Sequence, residues 1–285
     1  MNREQKWDRL KALLFEIKSA VLAYSGGVDS SLLLKAASEV LGNRLIAVTA
    51  VSDIYPLHEL KAAQAFAASL NVQHRILYTH ELSSEDFVKN SPDRCYFCKK
   101  ELFGKLVQIA HEEGILCVLD GSNVDDFKDY RPGSWAAAEF GVRSPLQETG
   151  FTKADIRECA RAHNLVMWDK PPLACLSSRI PYGTRITREI VFVIQSAEKI
   201  LHQLGFQQVR VRHYPDMARI EIQQEEFERI LDPECREKII TGFKQLGYRY
   251  ISLDLEGYRT GSMNEGLQIP DTRCRIPDTG CKIET

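Results

Sequence analysis

"AVLAYSGGVDSS", residues 20–31, runs from a short apolar stretch into a Gly-Gly turn and then into "LLLKAASEVLG", whose apolar residues recur at helical spacing. A strand, a glycine turn and a helix start aim several donors at one point. Gly26 and Gly27 let the backbone approach an anion with no Cβ in the way. Ser25, Ser30 and Ser31 add hydroxyls. The first free N–H groups of the helix point the same way, and a helix N-terminus favours negative charge by roughly 0.3–1 kcal/mol. Asp29 is out of place in an anion site unless a cation bridges it to phosphate, and Mg²⁺ would supply that bridge. No G-K-[ST] follows the glycines, so this is not a Walker loop. A bare Ser-Gly-Gly turn with a Ser or Asp N-cap is a common βα connection; the longer "SGGVDS" at a strand–helix junction reads as a phosphate site.

Outward from this loop, strand-like and helix-like segments alternate. "RLIAVTAV" (44–51), "VQHRILYT" (72–79) and "ILCVLDG" (115–121) read as strands; "HELKAAQAFAASLN" and "KKELFGKLVQIAHEEG" read as helices. That alternation implies βαβ units and a parallel sheet. The expected fold class is α/β: a Rossmann-like parallel sheet over residues 1–183, followed by a smaller α+β domain over 184–262. The break between them is the Pro-rich "DKPPLACLSSRIPYG" (169–183). The second domain reads as helix (187–204), strands "QVRVRHY" and "ARIEIQ", helix (225–246) and strand "RYISLDL". The tail 263–285 repeats "IPDTRC" as "IPDTGC" and is expected to be loosely ordered.

The 285 residues carry 44% apolar and 27% charged side chains, ordinary for a soluble globular protein. The net charge of -2 gives no whole-molecule field that would attract nucleic acid, which is not an expected partner. The N-terminus is charged from its second residue and lacks the apolar core of a signal peptide; Trp7, Leu10, Leu14 and Ile17 mark an amphipathic helix. No apolar run approaches the roughly 20 residues needed to cross a bilayer, so no membrane association and a cytoplasmic location are expected. The eight cysteines then read as reduced thiols, with Cys117, Cys159 and Cys235 as packing residues.

Cys95 and Cys98 in "SPDRCYFCKK" (91–100) form the chain's C-x-x-C pair. Alone, such a pair can be half a zinc site, a redox couple, part of an iron–sulfur site, or nothing in particular.

The "SGGVDS" loop resembles the signature of the PP-loop, or N-type, ATP pyrophosphatases. "DGSNVDDFKDYRPG" (120–133), "PLACLSSRIPYGTRIT" (172–187), "VRVRHYPDMARIEI" (209–222) and "GYRYISLDLEGYRTGSMN" (247–264) extend the likeness, over about residues 10–264, to the LarE group of sulfur transferases within it. The resemblance implies cleavage of ATP between the α and β phosphates, with Mg²⁺. A carboxylate of pyridinium-3,5-biscarboxylic acid mononucleotide is adenylylated, and sulfur then displaces AMP, on the route to a nickel-pincer cofactor. It also implies a homo-oligomer, and a sulfide or other sulfur donor as partner. In the best-known members a cysteine at the position of Cys175 gives up its own sulfur and becomes dehydroalanine; Ser177, Ser178, Arg179 and Tyr182 match the same motif. Those members lack cysteines in the earlier "PD" segment, where this chain has Cys95 and Cys98. With Cys175 they make a three-cysteine set that could hold a 4Fe–4S cluster and leave one iron open for hydrosulfide. Zinc stays possible if Cys274 or Cys281 adds a fourth ligand.

Other site assignments follow from the same likeness. Arg210 and Arg212 alternate on one strand face and are expected to bind the substrate's nucleotide phosphate; Arg179 is expected to do likewise or to stabilise charge during transfer. Ser52 and Asp53 follow the second strand, where adenosine would rest. Asp129 and Arg131 are site candidates, and Glu189 and Glu221 match acidic positions near the sulfur-bearing cysteine. Three other functions share some of these features. A cluster-dependent tRNA thiolase would show salt-sensitive tRNA affinity. An AMP-forming amide synthetase would turn over with ammonia. A non-catalytic nucleotide-binding protein with structural zinc would release neither AMP nor pyrophosphate.

Overall fold

The computed structural model describes residues 2–264 except 53, 55–56, 129–131, 172–173 and 260, and of 57, 58, 127 and 128 the backbone only. The chain opens with α1 (Arg3–Ile17), started by a capping box between Asn2 and Gln5 and burying Trp7, Leu10 and Leu14. There follow β1 (Ala20–Ala23), α2 (Val28–Leu41), β2 (Leu45–Val51), α3 (Leu57–Ser69), β3 (Gln73–Tyr78), α4 (Glu85–Val88), α5 (Arg94–Glu112) and β4 (Val118–Leu119). The four strands form a parallel sheet in the order β3-β2-β1-β4. α6 (Gly133–Glu139), α7 (Pro145–Glu148) and α8 (Lys153–Ala162) complete this half.

The strand pleat decides which helices cover which face. Ala20, Leu22, Leu45 and Ala47 point to one side and pack with Leu10, Leu33, Ile156 and Phe151. Val21, Ile46, Val48 and Val118 point to the other and pack with Phe103, Leu106 and Ala136. Both faces are buried, which is why these strands read as continuous apolar runs rather than alternating ones. The run "ILCVLDG" is regular only at Val118–Leu119, shorter than its composition suggests. Cys159 is buried in the core as expected, and Cys117 is half-buried.

Beyond residue 184 come α9 (Arg188–Gln203), β5 (Arg210–His213), β6 (Met217–Glu221), α10 (Phe227–Leu231), α11 (Pro233–Gln245) and β7 (Tyr250–Leu253). β5 and β6 are antiparallel and β6 and β7 parallel, over a core of Leu201, Phe206, Val211, Ile220 and Phe243. The helix expected over 225–246 is two helices. Pro233 has no N–H to continue the first, and Asp232 caps the second by accepting from the backbone of Glu234 and Cys235. α9 serves two cores: Ala197 and Leu201 face the second sheet, whereas Val191 and Ile194 join Ile54, Phe87, Val88, Leu176, Ile180 and Ile186. Among the described residues no helix is long and apolar enough to cross a membrane. The tail repeat lies outside the described residues from 265 onward.

Candidate active site

In the order β3-β2-β1-β4 the chain leaves β1 toward β2 and later crosses from β3 to β4 on β1's other side. Ligands of open parallel sheets bind at such a reversal, beyond the carboxyl ends of the strands. The loop after β1 sits there. Gly26 has φ +75°, and a Cβ on it would come within 3.1 Å of the Ala63 Cβ. Gly27 is the N-cap of α2, whose first turn carries Asp29. The Ser25 and Ser30 hydroxyls are 3.0 Å apart, and Ser30 Oγ also donates to the Gly27 carbonyl at 3.2 Å. Ser31 is buried and bonds to the Tyr24 hydroxyl. From β4, Gly121 presses on the same turn: a Cβ there would stand 3.0 Å from the Ser30 nitrogen. Asp120 shapes that second loop by accepting from Ser122 Oγ at 2.7 Å and Ser144 Oγ at 2.6 Å.

Two lysines that the sequence did not flag reach this loop from the far side. Lys153, at the start of α8, bonds Asp29 Oδ2 at 2.5 Å. Lys170 pairs with the buried Glu59 and lies 3.5 Å from the Gly26 carbonyl. Asp29 Oδ1 is enclosed and has no partner. Ser52 is half-buried at the end of β2, while Asp53, Asp129 and Arg131 fall outside the described residues.

Cys95 and Cys98 lie in the first turn of α5, not in a loop before it, so three residues apart they share one face. This polar first turn is held by tertiary contacts: Arg94 is buried, donates to Asn90 Oδ1 and stacks on the Tyr182 ring at 4.6 Å. Asn90, itself fully buried at φ +56°, turns its amide on the other cysteine-bearing segment. Its Nδ2 donates to the carbonyls of Pro181 at 2.8 Å, Thr184 at 2.9 Å and Ile180 at 3.3 Å. Cys175 therefore comes to face α5. Burial, then Glu81, then the nearby Cys175 raise the Cys98 thiol well above its ordinary value, and Cys175 acts on Cys95 too, which is exposed. Cys98 and Cys175 also pack against the same apolar cluster. Among the described residues no three His, Cys, Asp or Glu side chains converge to bind a single ion. Cys274 and Cys281 lie outside the described residues.

Arg179 and Arg212 are both buried and both committed. Arg179 forks onto Glu198 at 2.8 and 3.1 Å, and donates to the carbonyls of Ala174 at 2.7 Å and Cys175 at 3.0 Å. Ser178 Oγ donates to the Cys175 carbonyl at 2.8 Å. Arg212 forks onto the fully buried Glu221 at 2.9 and 2.7 Å and donates to the Ser178 carbonyl at 2.8 Å. Arg179 and Ser178 thus position the Cys175 segment, and Arg212 ties it to the second sheet. Arg210 shares the strand face with Arg212; it stacks on Tyr258 at 5.2 Å, and burial, then Arg179, lowers its pKa. Glu189 is exposed in the first turn of α9, where backbone and Thr187 hydrogen bonds lower its pKa. Glu198 and Glu221 both act on the Cys175 segment through an arginine, Glu198 through Arg179 and Glu221 through Arg212.

The asparagine synthase family model matches residues 20–111, the segment from β1 almost to the end of α5. An uncharacterized protein of Synechocystis is 42% identical over 93% of this chain and 98% of its own length. The pyridinium-3,5-bisthiocarboxylic acid mononucleotide synthase of Lactiplantibacillus plantarum is 40% identical, covering 90% of this chain and 93% of that protein. An uncharacterized protein of Methanocaldococcus jannaschii is 32% identical over 86% of this chain and 93% of its own. With a phosphate loop at the reversal of a parallel sheet and near full-length likeness to a thiocarboxylate-forming synthase, the chain belongs to the LarE-type ATP-dependent sulfur transferases of the PP-loop ATP pyrophosphatase family.

Proposed function

We propose that this enzyme converts a carboxylate of pyridinium-3,5-biscarboxylic acid mononucleotide into a thiocarboxylate, as a step in nickel-pincer cofactor biosynthesis. The observation that carries this reading is the 40% identity to a synthase named for that product, over nearly the whole of both chains. In the first half-reaction a carboxylate oxygen attacks the α-phosphorus of ATP and pyrophosphate leaves. In the second, a sulfur nucleophile adds to the acyl carbon and AMP leaves with the C–O bond electrons.

The phosphate loop has the parts for the first half. The N–H groups of Gly27 to Ser30 and the hydroxyls of Ser25 and Ser30 hold the departing pyrophosphate. Asp29 Oδ1, enclosed and without a protein partner, would hold a Mg²⁺ that would supply positive charge to the polyphosphate, while Lys153 occupies the other oxygen. Ser52 borders the adenosine. Arg210 faces the nucleotide phosphate of the substrate, with Arg212 holding the sheet beneath it.

For the second half, Cys95, Cys98 and Cys175 are the residues that would hold an iron–sulfur cluster, as soft thiolate donors. Bound there, a 4Fe–4S cluster would supply an iron without a protein thiolate, at which inorganic sulfide could be presented. Arg179 and Ser178 fix the Cys175 backbone and leave its sulfur available. Anaerobic purification with iron, sulfide and zinc analysis, followed by mass spectrometry of Cys175 after turnover, tests the reading. Iron with an intact Cys175 is the expected result. Zinc without iron refutes the cluster, and dehydroalanine at Cys175 shows a sacrificial route. Failure to release pyrophosphate with the pyridinium substrate refutes the reaction.

A further inference from the structure

Lys170 stands near the start of the Pro-rich stretch that leads to Cys175, and it is fastened to the phosphate-loop side of the molecule. Its ammonium pairs with the buried Glu59 of α3 and lies 3.5 Å from the Gly26 carbonyl. Gly26 and Glu59 adjoin each other, since a Cβ on Gly26 would stand 3.9 Å from the Glu59 carbonyl oxygen. Charges in protein interiors are paired, and here the cation comes from 111 residues further along the chain. The Lys170 backbone is held as well. Its carbonyl accepts from Arg157 Nη2 of α8 at 3.1 Å, and its N–H donates to the Met167 carbonyl at 3.1 Å.

Cys175 follows five residues later, and a chain spans at most about 3.3–3.6 Å per residue. Downstream the segment is gripped by Arg179 of its own 3₁₀ turn, by Arg212 of β5 and by Asn90 before α5. Upstream, Lys170 ties it to the loop that seats the ATP phosphates. Sulfur has to meet the acyl carbon of an adenylate made on that loop. Reacting atoms need to lie about 3–3.5 Å apart, and a misplacement of about 1 Å can cost about a hundredfold.

We propose that Lys170 is a positioning residue for sulfur transfer. Its pairing with Glu59 and its contact with Gly26 set the Cys175 segment against the phosphate loop, so that the acyl-adenylate meets sulfur before water. This rests on the reading that the Cys175 segment serves sulfur transfer to an adenylylated carboxylate. Two nucleophiles compete for that acyl carbon. Hydrosulfide forms a C–S bond, breaks the C–O bond to AMP, and yields thiocarboxylate, AMP and a proton. Water breaks the same bond and returns the carboxylate and AMP with two protons. Neither step moves electrons to or from an outside acceptor. Loosening the tie slows the first and leaves the second open.

The test uses the full chain with ATP, Mg²⁺, the pyridinium substrate and sodium hydrosulfide, as wild type, Lys170→Met and the double variant Lys170→Met with Glu59→Gln. The double variant leaves no buried carboxylate without its cation, so it remains informative if the single one fails to fold. Pyrophosphate and thiocarboxylate are both measured, with ATP varied. Thiocarboxylate formed per pyrophosphate released should fall by roughly tenfold or more in the variants. A protein that is merely destabilised loses both products together and keeps the ratio. A ratio that stays at the wild-type value overturns the proposal: with KM for ATP raised, Lys170 serves the nucleotide, and with KM unchanged it serves only the fold. Wild type that releases no pyrophosphate, or forms no thiocarboxylate, overturns the underlying reading and the proposal together.

Discussion

Replacing Asn90 should separate what holds the two cysteine segments together from what merely folds the chain. Its side chain is fully buried, and its amide donates to carbonyls of the 180–184 segment while its oxygen accepts from Arg94. An amide has two hydrogens, so the 2.8 and 2.9 Å bonds count in full and the 3.3 Å contact to Ile180 shares one. Two neutral bonds at about 1 kcal/mol each and one to a charged guanidinium at about 1.5–3 kcal/mol give a loss near 4 kcal/mol. Water entering the space left by the amide would recover part of it, so about 3 kcal/mol is expected for Asn90→Gly. Glycine tolerates φ +56° without strain. Asn90→Ala adds a left-handed backbone penalty of about 1–2 kcal/mol and should be the less stable of the two. Urea unfolding followed by circular dichroism measures both. A domain of typical stability, about 5–15 kcal/mol, stays folded after the glycine change, so its iron uptake can be read on native protein. That uptake should fall well below wild type, because Cys175 is no longer registered against Cys95 and Cys98. Asn90→Gly within about 0.5 kcal/mol of wild type, or with full iron uptake, would refute the reasoning.

Three further outcomes follow from the same contacts. Arg179→Ala leaves Glu198 buried without its cation and should cost about 3–5 kcal/mol in urea unfolding; adding Glu198→Gln to that variant should recover part of the loss. Gly26→Ala meets both a φ of +75° and the Ala63 Cβ, so it should destabilise by about 1–2 kcal/mol and abolish ATP-dependent pyrophosphate release; retained release would show that the loop does not seat the nucleotide as described. Burial lowers the pKa of His74, His163 and His213 below the ordinary 6.5, so below that pH the unfolded chain binds more protons than the folded one. Stability should therefore fall as pH drops from about 6.5 toward 5, before carboxylates titrate, and His213→Gln should flatten that slope.

The phosphate loop was legible because its parts are consecutive: strand, Gly26, Gly27 and the donors of one helix start arrive in a single dozen residues. The pairing of Cys175 with the C-x-x-C was legible only through family likeness, since nothing local in "SPDRCYFC" or "ACLSSR" points to the other segment. The start of α5 was misplaced because its first turn is held by the local bond of Arg94 to Asn90 and its stacking on the distant Tyr182, which no helical period reveals. Arg212 was placed on the right strand face, but its diagonal partner Glu221 on β6 could not be read from alternation alone. Lys153 and Glu198 carry no local signature at all. Each acts on a residue distant in the chain, and only the fold supplies the partner.

The Cys175 segment is held entirely through its backbone and its neighbours, not through the cysteine's sulfur. Residues 174–184 have little regular structure beyond the 3₁₀ turn Leu176–Arg179, so intrinsic geometry does not fix them. They are gripped instead by their carbonyls: Ala174 and Cys175 by Arg179, Ser178 by Arg212, and Ile180, Pro181 and Thr184 by Asn90. None of these contacts uses the Cys175 sulfur. Asn90 pulls from the parallel-sheet half beside α5, whereas Arg212 pulls from β5 of the second sheet, and Arg179 is anchored to α9 through Glu198. The segment is thus strung between the two halves of the molecule. Removing the second sheet would release Ser178 and leave the cysteine held from one side only. The smaller sheet therefore helps to hold the Cys175 segment in place, through Arg212 and its partner Glu221.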